Sequence, residues 1–285
     1  MQAFDIFERG GLANDAAFVA ERVLTADELK TYVDTMRSDR EEARRHWSYV
    51  LGRRLVREDR YEEAAKYLPA PNDKILQIYA KALHDGADEK LAKEERAAAW
   101  FHAAWLARYD GMELMGTQVA PDVFATEGSF EMPDLAKERL TGNYQKVRWD
   151  GAEEKKTDVP IPLRPSKEEV KRMKASAIQP DVRFHYRVVA GALAMKAAAL
   201  LPDHSAEVAD VINSAGLWVK DRDQKVAGRY FNVLERRGSG TEIGRAASAK
   251  HWFVEARGPW SDREQASYDA MHKELAPAPS EPDGQ

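Results

Sequence analysis

Two arginines one helical turn apart, Arg53 and Arg57, are the residues of this chain best suited by type and spacing to a specific task. Each guanidinium presents a rigid fork of donors, so a pair at i and i+4 can hold an acidic side chain or chain terminus through charge-assisted bonds. Tyr49, one turn earlier, offers a ring for stacking, and Lys220 stands at the comparable place in a later helix. The plainer reading is a solvated basic face paired with local glutamates such as Glu58. A second pattern is aromatic. Phe101, Trp105 and Tyr109 recur every four residues, with Trp100 beside them and Met112 and Met115 beyond. Such a stripe faces one side of a helix, where it either packs in a core or forms a hydrophobic groove for a partner's helix or peptide.

Signatures of catalysis are scarce. The chain has no GxxxxGK[ST], no GxSxG, no HExxH and no paired histidines at helical spacing. The glycines at 238, 240 and 244 have the wrong spacing for a dinucleotide site and follow a helical pattern instead of a strand. Seven histidines are scattered along the sequence, and His185 in the run RFHYR opens a strongly apolar helix. With Asp181, Glu127 and Asp134 it could supply the general acid–base chemistry of a hydrolase-like enzyme. A partly buried histidine bonded to the preceding loop is the plainer reading. There are no cysteines, which excludes disulfides, thiolate nucleophiles and cysteine-bound metals. Neither a cofactor nor a metal is expected, and no catalytic residue is assigned.

Composition narrows the partners. Apolar residues make up 44% and charged residues 32%, with 43 basic against 48 acidic side chains and a net charge of −5. That balance argues against broad binding to a phosphate backbone, so nucleic acid is not an expected partner. No apolar run approaches the roughly 20 residues that span a bilayer. The opening MQAFDIFERGGLAND has two acidic residues and no apolar core, so it does not read as a signal peptide. A cytoplasmic location is expected. The alternative is periplasmic, for a processed chain or a C-terminal piece, since helical material begins close to residue 1.

The elements that must position these residues are helical. Thr25 to Glu28 is a capping box, and helices are expected over 41–57, 60–68, 72–85 and 93–109, with a turn at Asp85-Gly86. Residues 120–181 are punctuated by prolines and glycines and read as an irregular insertion with one short helix, started by the capping box Ser166 to Glu169. Within it, 150–158 reads as a solvated charged loop. Helical order returns in 182–273, with a hairpin over 205–220 and 224–237 and further helices near 243–251 and 260–275. The expected organisation is therefore 1–119, 120–181 and 182–273, followed by a disordered tail over 274–285.

The stretch LGRRLVREDRYEEAAKYL, Leu51 to Leu68, carries small and apolar residues at the spacing of a helix–turn–helix repeat. It resembles a tetratricopeptide (TPR) repeat, with Leu51, Gly52, Leu55, Tyr61, Ala64 and Leu68 at the signature positions. Ser48 stands in the tryptophan position, with Trp47 one residue earlier. A weaker echo places Ala215, Trp218, Ala227 and Phe231 at corresponding positions of 205–237. The resemblance implies an all-α, TPR-like α-solenoid of helical hairpins with an irregular insertion. It further implies a noncatalytic scaffold or adaptor that binds a protein or peptide, with Arg53 and Arg57 on the concave face. A structural subunit of a large assembly is a third reading beside the enzyme and the scaffold.

Overall fold

The computed structural model describes residues 1–124, 134–150, 153–161, 163–255 and 261–276. Glu127 of the enzyme reading and most of the expected tail, 277–285, lie outside the described residues. In chain order the elements are α1 (Gln2–Arg9), α2 (Ala13–Phe18), a π-helical turn (Val19–Val23), α3 (Ala26–Asp34), α4 (Glu41–Arg57) and α5 (Tyr61–Ala64). Then come α6 (Asn72–Ala87), α7 (Lys93–Tyr109), α8 (Gly111–Met115) and α9 (Leu135–Thr141). The strands β1 (Asn143–Asp150) and β2 (Glu153–Pro160) follow, and then α10 (Lys167–Ala175), α11 (His185–Leu200) and α12 (Ala206–Val219). The last three are α13 (Gln224–Arg237), α14 (Glu242–Lys250) and α15 (Asp262–Leu275). The described residues are mostly helical.

Local chemistry explains many boundaries. Thr25 accepts the Glu28 amide at 3.1 Å while the Glu28 carboxylate accepts the Thr25 amide at 2.8 Å, so α3 opens on a complete capping box. Ser166, Ser205, Asp223 and Thr241 cap α10, α12, α13 and α14 through one side-chain acceptor, and Ser261 opens α15 on a complete capping box, each satisfying an amide that the helix leaves unpaired.

Three expectations are corrected. The helix expected over 60–68 is a single turn, α5. Beyond it the Lys66 and Tyr67 amides bond only three residues back, to Glu63 and Ala64, because Leu68 precedes Pro69 and is steered out of the helical region. The turn expected at Asp85-Gly86 lies inside α6, where Gly86 instead permits close packing. A Cβ there would stand 2.6 Å from the Trp100 ring of α7. Gly86→Ala should therefore overpack this hairpin and lower stability by about 1–3 kcal/mol, read as a shift in the urea midpoint. Finally, the region 120–181 contains more regular structure than the helix begun at Ser166. It adds α9 and an antiparallel hairpin in which Arg148 pairs with Lys155 and Asp150 with Glu153. The charged run 150–158 is thus largely strand.

Two compact units emerge, each drawing on two stretches of chain. One comprises 1–59 and 115–185, the other 60–114 and 186–285. In the first, Phe4 sits edge-on to Tyr32 and Trp47, with ring centroids 4.7 and 4.8 Å apart. Arg54 donates to the carbonyls of Ala20 and Leu24, satisfying backbone oxygens around the π-helical turn. In the second, α6 packs on α7 and α12 on α13. Gly191 of α11 lets that helix approach α12, where an added Cβ would meet the Val219 side chain at 2.8 Å. Gly216 does the same on α12 for the buried Phe253 ring.

Candidate functional site

The arginine pair is not exposed. Arg53 is 1% exposed. Its guanidinium donates to the Gly116 carbonyl at 3.2 Å and to Gln118 Oε1 at 2.7 Å. It lies over two rings set edge to face, 4.6 Å from the Tyr49 centroid and 3.9 Å from that of Phe124. Burial pulls its pKa down to about 10. Arg57 donates to the carbonyls of Met115 and Gly116 at 3.2 and 3.0 Å and pairs with the buried Glu21 carboxylate. Both guanidinium groups are engaged by 115–118 and Glu21 within this unit, so neither the solvated basic face nor a concave-face clamp open to a partner is what the pair forms. Lys220 belongs to the other unit, where its ammonium pairs with Glu255. The aromatic stripe is largely core. Phe101 and Trp105 are buried, with Phe101 5.7 Å from Trp218 and Trp105 6.2 Å from Tyr268 between ring centroids, while Tyr109 is half-exposed.

His185 does face a carboxylate, but one the sequence reading had not singled out. Its Nδ1 lies 2.8 Å from Oδ2 of Asp122, and the two residues are 3% and 0% exposed. Asp122 also accepts the Phe184 amide at 2.6 Å and the Thr117 amide at 3.0 Å. Burial pushes its pKa up. The bond and charge of His185 and the two amides outweigh that push, leaving it below the usual carboxylate range. Asp181 is exposed and Asp134 caps α9, so neither joins this pair. The pair, sealed from water, ties the 115–124 loop to 184–185.

The chemically open place lies within the second unit. A cavity of about 1040 Å³ is lined by the middle of α7, the length of α12, the start of α14, Val254-Glu255 and the first turns of α15. Its walls hold six carboxylates (Glu207, Asp210, Glu242, Glu255, Asp262 and Glu264) against a single arginine, Arg263. Alanines at 98, 206, 246, 266 and 270 keep the groove open, and Phe101, Leu217 and Ile243 make its apolar surface. Of the carboxylates, Glu255 is engaged by Lys220.

The inner wall is unusual. Glu264 is 6% exposed and is held by neutral donors: the Tyr109 hydroxyl at 2.9 Å, the Trp218 indole at 3.2 Å and the Ser261 amide at 2.9 Å. Burial raises the Asp210 pKa to about 6, with a Ser261 bond opposing and the Glu264 charge adding to the rise. Burial lowers that of His102 to about 4, and both of its ring nitrogens are sealed from water without a hydrogen-bond partner. Two titratable groups perturbed in opposite directions, in one cleft, mark a candidate site on physical grounds. Among the described residues, no group of three or more histidines and carboxylates could hold a metal ion.

Sequence reasoning passed over Asp210, His102 and Glu264. One signal was present: in the otherwise apolar helix AEVADVINSAGLWV, the polar residues Asp210, Asn213 and Ser214 fall at i, i+3 and i+4. A polar stripe within a buried helix needs partners, and Asn213 finds them on the Val254 backbone, at 2.8 and 2.9 Å. No family model, curated protein or solved structure matches this chain. No helix among the described residues is long and apolar enough to cross a membrane.

Proposed function

We propose that this protein is a noncatalytic binding module of the tetratricopeptide-like helical class, and that its acidic cleft receives a cationic amphipathic peptide segment of a protein partner. The carrying observation is the excess of carboxylates around an open, apolar-floored groove. Low-dielectric walls focus the field of such a cleft and favour a positively charged ligand. Length selects a peptide over a small cation. The lining runs along α12 from Ala206 to Leu217, about 16 Å at the helical rise, or roughly three turns of a bound helix. The hairpin of α12 with α13 spans the segment 205–237 where the weaker repeat echo falls, which supports the helical-hairpin reading. Sealing of the His185–Asp122 pair weighs against the hydrolase reading at that place.

Fluorescence anisotropy with labelled amphipathic peptides tests this. A lysine- and leucine-rich helix should bind, and its glutamate-for-lysine counterpart should not. Glu207 and Glu242 are exposed on the rim, so Glu207→Lys with Glu242→Lys should weaken binding at least about tenfold while leaving the circular dichroism unchanged. Raising salt should weaken wild-type binding, since rim charges are screened. Equal affinity for the basic and acidic peptides would overturn the proposal.

A further inference from the structure

The glycines at 238, 240 and 244 frame a serine, Ser239, which is exposed at the turn between α13 and α14. Its hydroxyl lies 3.0 Å from Nδ1 of His204, which also stands 3.1 Å from the Ser239 carbonyl oxygen. A carbonyl takes only donors, so Nδ1 carries the ring proton and turns it toward this residue. The backbone fixes His204 there, at φ +61° and with its amide donating to the Arg237 carbonyl at 2.7 Å. Arginines gather on the same turn. Arg245, near the start of α14, donates to the Gly240 carbonyl, and Arg236 is exposed at the end of α13. Arg237 is engaged, its fork closed by Asp203 and by the carbonyls of Ala198 and Leu201. Of the acids that adjoin the turn in sequence, Asp203 is thus occupied, Glu235 lies on α13, and Glu242 opens α14 beside the cleft. A neutral hydroxyl has no need of an imidazole N–H and neighbouring guanidinium groups, whereas a dianion on the same oxygen does.

We propose that Ser239 is a phosphorylation site for a serine/threonine kinase that selects arginine upstream, and that His204 and Arg245 receive the phosphate. Arg236 stands three residues before the acceptor, where an acidic kinase groove reads it by charge pattern. Gly240 follows the acceptor at φ +82°, a conformation that glycine enters and leaves at little cost, so the exposed turn can open into that groove. In the reaction, Ser239 Oγ attacks the γ-phosphorus of ATP, and its proton passes to the kinase's catalytic carboxylate. The new Oγ–P bond replaces the bond from that phosphorus to the bridging oxygen, and ADP leaves. The product carries about 1.5 to 2 negative charges at pH 7 and three acceptor oxygens. The His204 N–H and the Arg245 fork satisfy two of those oxygens, and the start of α14 adds a favourable dipole. Position gives the modification a consequence. Thr241 and Glu242, the residues after Gly240, line the acidic cleft. Resting on the peptide-binding reading above, the added charge deepens the field of the cleft and tightens its hold on a cationic peptide.

The experiment treats the full chain with ATP and a purified arginine-directed serine/threonine kinase, and tandem mass spectrometry locates the product. Ser239 should be labelled, Ser239→Ala should lose that label, and Arg236→Gln should slow labelling at least about tenfold. Phosphorus NMR of the product then reads the receptor. The second ionisation of the phosphate should fall below its ordinary value of about 6, because cations beside it favour the dianion. Arg245→Gln or His204→Gln should return it toward that value. No label at Ser239 would overturn the site, and an ordinary titration that neither variant alters would overturn the receptor. Anisotropy with the lysine- and leucine-rich helix keeps the peptide reading separate. The phosphorylated chain should bind that peptide at least about threefold tighter than the unmodified chain. Equal binding by the two forms would overturn the coupling alone, and no binding by either would overturn the peptide reading while the phosphorylation site stands.

Discussion

Replacing Asp122 with alanine should lower the stability of this protein by about 3–5 kcal/mol, because it strands several buried donors at once. The magnitude comes from what the carboxylate leaves behind. The amides of Thr117 and Phe184 and the His185 ring would lose their acceptor at positions that water does not reach. Each stranded donor costs about 1–3 kcal/mol. Asp122→Asn keeps the shape and one acceptor oxygen, so it should lose less. Because the folded pKa lies below the ordinary value, the stabilisation is present above the unfolded pKa and is lost as pH falls through the folded one. Urea denaturation followed by circular dichroism at pH 7 and pH 3 reads both effects. A loss under about 1 kcal/mol in the alanine variant would mean that the loop finds other partners.

Trp105→Ala should cost about 3–5 kcal/mol as well, for a different reason: it empties a fully packed indole site. Trp105 is 2% exposed, and its ring stands 5.1 Å from Tyr109 and 6.2 Å from Tyr268. Collapse into that space would require α7 and α15 to shift together. Tyr109→Ala, at a half-exposed position, should cost less. Thermal melts of the two variants decide between core and groove. A groove residue would lose ligand binding with its melting temperature intact, whereas Trp105 should lose stability first.

Burial also explains why the arginine pair misled. At i and i+4 on α4, Arg53 and Arg57 have the spacing of a carboxylate clamp, and sequence periodicity places both on one face. What covers that face is a loop some 60 residues later, 115–118, whose carbonyls and Gln118 side chain fill the forks. A side chain's neighbours at that separation have no signature in local spacing. Glu21 completes the set from the opposite direction, off a π-helical turn. The same holds for the cleft. Asp210, His102 and Glu264 come from α12, α7 and α15, and only packing brings them together.

Local chemistry was legible in the chain itself. The helix over 41–57, the helix over 93–109, the capping box at Thr25 and the helix start at Ser166 coincide with the observed elements, although Ser166 caps α10 without the reciprocal Glu169 bond, because caps and 3.6-residue periodicity act within a few residues. The β1–β2 hairpin was hidden by its own polarity: β2 reads EEKKTDVP, with no apolar alternation to betray a strand, although Asp150-Gly151 is a hairpin-turn signal. Gly86 could be read as a turn because a glycine's sequence context does not distinguish a bend from a close approach; the Trp100 ring decides it. The sequence by itself thus determined helical content, most helix limits and the acidic balance. Which charges are sealed and which stand open was decided by tertiary structure, because desolvation depends on every chain segment that arrives to exclude water.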